Sequence, residues 1–236
     1  MGFKITLGAL FLALTIAELV PHLLTTGDSS KDAFDALLPI RPRGTRLPLF
    51  CVHDVFGISW SFIGLSKHLH PDQPIYGLQA RGFVDDEWRA ITFDDIALDY
   101  IEQIRRIQPH GPYCLLEYSF GGKMVHTMAS LLERQGERVA LLAVMDAVPR
   151  EKNQAALGPV DKTHVEVDSR LFASRIGDAF PESARPYLKK FRQGEIEMFD
   201  IDCSHPDMDQ PASLEKIGGV LAQRLDEIHL KEAKEE

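Results

Sequence analysis

A serine hydroxyl is a poor nucleophile at neutral pH and becomes a useful one beside a base that accepts its proton. Ser119 stands in EYSFGG, where the apolar run YCLLEY gives way to a helical pattern beginning at Gly121. A tight strand-to-helix turn at that point lifts a serine oxygen out of the sheet edge and sets it before the N–H groups of a helix N-terminus. Asp146 follows the next apolar run, VALLAVM, 27 residues after Ser119, and His205 comes later in a polar segment. An imidazole can take the serine proton, and a carboxylate fixes its tautomer and stabilises the imidazolium that forms. The chemistry of such a set is acyl transfer, with activity falling below about pH 6.5 as the base becomes protonated. Each residue also has a plainer reading: Ser119 and Asp146 as caps of the segments that follow them, and His205 as a solvated loop residue.

A tetrahedral oxyanion needs two N–H donors. The expected pair is the backbone N–H of Phe120, just after the serine, and that of Val55 in the loop His53-Asp54-Val55-Phe56-Gly57. His53 itself reads as a structural residue at a strand end, with a functional reading beside it.

The elements that must position these groups follow from the hydrophobic pattern. Strands are expected over residues 47–53, 74–79, 113–117 and 139–145, with 165–173 and 197–201 as two further candidates. Helices are expected over 58–69, 93–108 and 121–135, with another around 181–191. Ile96, Tyr100, Ile101 and Ile104 make the second of these amphipathic, and Gly136 stands where a C-cap belongs. Alternation of apolar strands with helices predicts an α/β domain with a mainly parallel sheet, and Ser, Asp, His is the chain order of α/β-hydrolases. The charged residues 231–236 read as a frayed tail.

Composition narrows the function classes. At 236 residues and 44% hydrophobic content, the chain can bury one substantial core. With 26 basic and 35 acidic residues, a formal charge of -9 and no Lys/Arg run longer than two, it offers no cationic stripe for nucleic acid. Cys51, Cys114 and Cys203 cannot all pair within one chain, so a reducing cytoplasm fits best. No CxxC or HExxH spacing is present, and neither a metal nor a chain-bound cofactor is expected.

Residues 5–17, ITLGALFLALTIA, have the length of a secretory signal core behind Lys4, but no clean small-x-small cleavage site follows. GFKITLGALFLALTIAELVPHLL instead resembles the closing helices of a peptidyl or acyl carrier domain. The resemblance makes residues 1–26 a carrier remnant without the serine that bears phosphopantetheine, with 27–36 as linker. The segments LLPIRPRGTRLPLFCVH, PIYGLQARG, DYIEQIRRIQPHGPYCLLEYSFGG, ERVALLAVMDAVP and IDCSHPDMDQPASLEKIGGVLAQRL, all within residues 37–230, resemble type I thioesterases. These are the terminal releasing domains of nonribosomal peptide synthetases and some polyketide synthases. The resemblance implies an α/β-hydrolase fold, with Ser119 as nucleophile, Asp146 as acid, His205 as base, and Val55 and Phe120 as oxyanion donors. It also implies an acyl or peptidyl chain cleaved from a carrier protein's phosphopantetheine arm, by hydrolysis or cyclisation.

Three positions depart from the family pattern. Glu117 replaces the usual glycine two residues before the serine, where overpacking would cost roughly 1–3 kcal/mol. The loop His53-Asp54-Val55-Phe56-Gly57 replaces His-Pro-x-Gly-Gly, bringing a carboxylate and a ring toward the oxyanion. The 59 residues from Asp146 to His205 leave no more than residues 150–163 for a lid. These departures keep two alternatives open: a weak or inactive homologue that binds a carrier, and an esterase of small soluble esters.

Overall fold

The runs LFCV, IYGL, YCLLEY and VALLAVM are almost wholly apolar, the composition of strands covered on both faces. In the computed structural model, which describes residues 32–119, 122–145, 199 and 201–235, they form β2 (Leu49–Val52), β3 (Ile75–Leu78), β4 (Tyr113–Tyr118) and β5 (Val139–Met145). Every residue in these four strands is buried. With β1 (Leu37–Arg41) they make one sheet in the order β1-β3-β2-β4-β5, with β1 antiparallel to β3 and the other neighbours parallel. The Arg41 guanidinium anchors the edge strand by donating to the carbonyls of Gln73 (2.8 Å), Ser66 (2.9 Å) and His70 (2.7 Å).

Helices cover both faces. On one side α2 (Phe93–Arg105) and α3 (Gly122–Arg134) pack Tyr100, Ile101, Ile104, Val125 and Met128 against Phe50, Val52 and Leu115. On the other, α1 (Phe62–Leu65) and α4 (Pro211–Glu235) pack Phe62, Leu65, Ile217 and Leu221 against Cys51, Cys114 and Leu116. Burial raises the Cys51 thiol pKa and pushes that of Cys114 up to about 12, so both behave as small apolar groups.

Two helix ends follow local rules. Thr92 caps α2: its hydroxyl accepts from Asp95 N–H (3.1 Å), and the Asp95 carboxylate accepts from Thr92 N–H (2.8 Å). α3 ends with Gly136 at φ 81°, Glu137 N–H reaching Leu132 C=O (3.0 Å) and Gly136 N–H reaching Glu133 C=O (2.9 Å), as the glycine predicts.

Three expectations need correction. The helix expected over 58–69 is only α1 followed by a 3₁₀ turn, Ser66–His68. The segment from 231 is not frayed; α4 runs through it to Glu235, with Glu232 paired to Arg138. Of the strand considered at 197–201, Phe199 and Ile201 are described and neither is in a strand. The expected strand 165–173, helix 181–191 and lid residues 150–163 lie outside the described residues, as do residues 1–26. Of residues 27–36, Asp32–Phe34 form a 3₁₀ turn against the body, with Ala33 and Ala36 buried.

Candidate active site

β4 lies between β2 and β5, all three running the same way, with Glu117 opposite Val52 and Tyr118 opposite Met145. The chain therefore leaves these strands at one common edge, the carboxyl end of a parallel sheet, where α/β folds place their sites. Ser119 is the first residue beyond β4. Its φ of 61° makes it the one non-glycine residue with positive φ among the described residues, and it is half-buried. An L-residue held in this left-handed region costs about 1–2 kcal/mol, a strain that accumulates at functional turns.

Asp146, the residue after Met145, and Phe120 lie outside the described residues. His205 opens a 3₁₀ turn, His205–Asp207, just ahead of α4. Ile201 and Met208 bracket that turn and belong to the same hydrophobic cluster as Tyr118 and Met145, the residues that precede Ser119 and Asp146.

The loop after β2 is shaped by Asp54. Its Oδ1 accepts Phe56 N–H at 2.8 Å, and its carbonyl accepts Gly57 N–H at 3.2 Å, with Gly57 at φ 80°. Phe56 and Gly57 N–H are thus consumed within the turn, whereas Val55 N–H makes no hydrogen bond among the described residues. The Asp54 carboxylate folds back onto its own turn, and Phe56 is 74% exposed. The two bulky departures in this loop are accordingly spent on the turn and on solvent.

Two features absent from the sequence reading stand directly behind the loop. His53 is buried, with Nδ1 bonded to the Asp54 carbonyl and Nε2 2.5 Å from the Tyr100 hydroxyl. Burial lowers the His53 pKa, opposed in part by its hydrogen bond to Asp54 and by the Asp54 charge; burial raises that of Tyr100. The pair borders a small apolar cavity of about 100 Å³ that Val52, Trp88, Ile96 and Met124 also line. Helical spacing marked Tyr100 only as a core residue, and no signal in the sequence linked it to His53. The second feature is a pair of clamps in QARG. Gln79 donates to the carbonyls of Ala33 and Asp35 (2.9 Å each) and accepts Ser59 N–H (3.1 Å), while Arg81 pairs with the buried Asp99 at 2.7 Å. Glu117 is fully buried. By strand alternation it faces α2 and α3, with Tyr113 and Leu115.

Residues 47–176, more than half of the chain, match the sequence profile of the thioesterase domain family. This chain belongs to that family. The chain is 42% identical to the malpinin synthetase of Mortierella alpina, an alignment covering 97% of this chain and 4% of that protein. It is 34% identical to a dimodular nonribosomal peptide synthase of Bacillus subtilis strain 168, over 97% of this chain and 12% of that one. The chain therefore spans a small part of the length of these relatives. Another relative, 33% identical over 58% of this chain and 14% of its own length, is an inactive atromentin synthetase of Paxillus involutus. Among solved structures, a four-domain nonribosomal peptide synthetase superposes with a TM-score of 0.66 at 15% identity, covering 80% of this chain and 20% of that one. The NocB thioesterase domain, in covalent complex with a fluorophosphonate nocardicin G analogue, superposes at 0.60 with 21% identity, over 77% of this chain and 96% of that one. The chain has the α/β-hydrolase fold expected from its alternating strands and helices, and family and fold together imply a hydrolase. Among its described residues no group of three or more His, Cys, Asp or Glu side chains could hold a metal ion, and no helix is long and apolar enough to cross a membrane.

Proposed function

We propose that this thioesterase releases an acyl or peptidyl chain from the phosphopantetheine thioester of a carrier protein. Ser119 Oγ attacks the thioester carbonyl while His205, oriented by Asp146, takes the hydroxyl proton. The oxyanion is held by the N–H groups of Val55 and Phe120. On collapse the C–S bond breaks, His205 returns the proton to the departing thiolate, and an acyl-serine ester remains. Water, or an amine or hydroxyl of the chain itself, then attacks that ester, giving hydrolysis or cyclisation.

The observation that carries this reading is Ser119 at φ 61° at the carboxyl end of β4, in a chain of the thioesterase family. The test is labelling with a serine-directed fluorophosphonate, with Ser119→Ala as control, followed by turnover of an acyl-pantetheine thioester against the matching oxygen ester. Ser119→Ala is expected to abolish labelling and to leave the unfolding midpoint near that of the parent. Equal labelling of the variant would remove Ser119 from the reaction. Faster turnover of the oxygen ester would favour a small-ester esterase.

A second reading, a weak or inactive homologue that binds a carrier, is favoured by the complete burial of Glu117 two residues before Ser119. On this reading Glu117 overpacks the elbow where the family has glycine, and Glu117→Gly relieves it. The substitution is expected to raise kcat by about 10-fold with little change in KM, since the change acts on the transition state. A variant no faster than the parent would show that the elbow accommodates Glu117.

A further inference from the structure

We infer that His53 and Tyr100 are positioning residues that orient the Val55 N–H for the oxyanion, an inference that rests on the acyl-serine reading above. A carbonyl oxygen only accepts, so the proton between His53 and Asp54 sits on His53 Nδ1. Burial favours the neutral ring, which leaves Nε2 as an acceptor, so the Tyr100 hydroxyl donates to it across 2.5 Å. The direction of the whole relay is thereby set: Tyr100 O–H to His53 Nε2, then His53 Nδ1–H to the Asp54 carbonyl.

That carbonyl belongs to the same peptide group as the Val55 N–H. The group is planar and trans, so its C=O and N–H point in opposite directions and cannot turn independently. Holding the Asp54 oxygen toward His53 therefore turns the Val55 N–H away from the protein interior behind the loop. Gly57 N–H grips the same oxygen, so the peptide plane is held by two donors. The outer end of the relay is rigid as well. Tyr100 is 1% exposed on the core face of α2, its ring edge-on to His53 with centroids 5.8 Å apart. The loop is otherwise open, with Val55 66% exposed, so packing on its outer side does not hold the plane.

The test uses the full chain and the variants Tyr100→Phe, His53→Phe and His53→Asn, whose side-chain amide can still donate to the Asp54 carbonyl. For each, kcat and KM are measured on an acyl-pantetheine thioester, alongside the fluorophosphonate labelling rate and a thermal melt. His53→Phe is expected to lower kcat by about 100-fold, as loss of one oxyanion donor does, with KM within about two-fold of the parent. Tyr100→Phe, which removes a single oxygen and keeps the ring, should lower kcat by about 10-fold, and carries the test alone if His53→Phe does not fold. His53→Asn should recover most of the loss. An unchanged kcat in folded Tyr100→Phe, a loss that falls on KM, or an Asn variant no faster than Phe would each overturn the inference. A parent that labels no better than Ser119→Ala would remove both this inference and the acyl-serine reading. An active parent with unaffected variants would remove this inference alone.

Discussion

Among the described residues, Ser119 is where the backbone departs furthest from what its side chain prefers, and the departure can be measured. A Cβ at φ 61° costs about 1–2 kcal/mol, whereas glycine occupies that region freely and loses roughly 0.5–1 kcal/mol through the added freedom of its unfolded chain. Ser119→Ala and Ser119→Gly both lack the hydroxyl and differ in that one carbon. Neither should label with fluorophosphonate, and the glycine variant should be more stable than the alanine variant by about 1 kcal/mol in urea unfolding. Equal stability would mean that the turn relaxes around the alanine and holds no strain. Glu117 poses the opposite question, since it is a polar side chain placed wholly inside the sheet rather than a backbone held off its preference.

Among the elements, α4 is seated closely enough for a single missing carbon to matter. Gly218 faces the 3₁₀ turn after α1, and a Cβ there would lie 2.3 Å from His68 Cβ. Gly219, the next residue, would place a Cβ in open space. The same substitution should therefore act in opposite directions at adjacent positions. Gly219→Ala gains the helix propensity of alanine, about 0.8–1 kcal/mol, with nothing to oppose it. Gly218→Ala gains that same term but must displace His68 or the helix, an overpacking cost of about 1–3 kcal/mol, so the net effect is destabilising. Chemical unfolding of the two variants side by side checks both signs.

At the scale of the whole molecule, the question is where the hydrolase body begins. The proposed boundary makes residues 27–36 a linker ahead of the body, yet Asp32–Ala36 are tied to the body by groups far along the chain. Gln79 donates to the carbonyls of Ala33 and Asp35, its own N–H reaches Ala36 C=O (2.9 Å), and Trp60 Nε1 donates to Ala33 C=O (3.1 Å). A chain starting at residue 27 is expected to unfold at the same urea concentration as the full chain. One starting at residue 37 strands the buried Gln79 amide and should lose about 1–3 kcal/mol. If both truncations unfold alike, those contacts contribute no net stability and the body begins at β1.

The four central strands were legible because a strand covered on both faces carries a continuous apolar run, and LFCV, IYGL, YCLLEY and VALLAVM have little other use. The turn at Ser119 and the helix end at Gly136 were legible for a related reason: each is a local solution, decided by residues within one turn of the chain. β1 was not, because LLPIR has a half-exposed pattern and pairs with β3, about forty residues away. Nor was α4, for which no helix is expected from the sequence and whose last turns are polar and are held by Arg138, far off in the chain. The candidate site divides the same way. Ser119 and the order of its expected partners could be read from the chain, but the Asp54 carboxylate turning onto Phe56 and the bond between His53 and Tyr100 could not. A hydrogen bond across 47 residues exists only once β2 and α2 have packed together, and packing, not local preference, decides which buried polar groups meet.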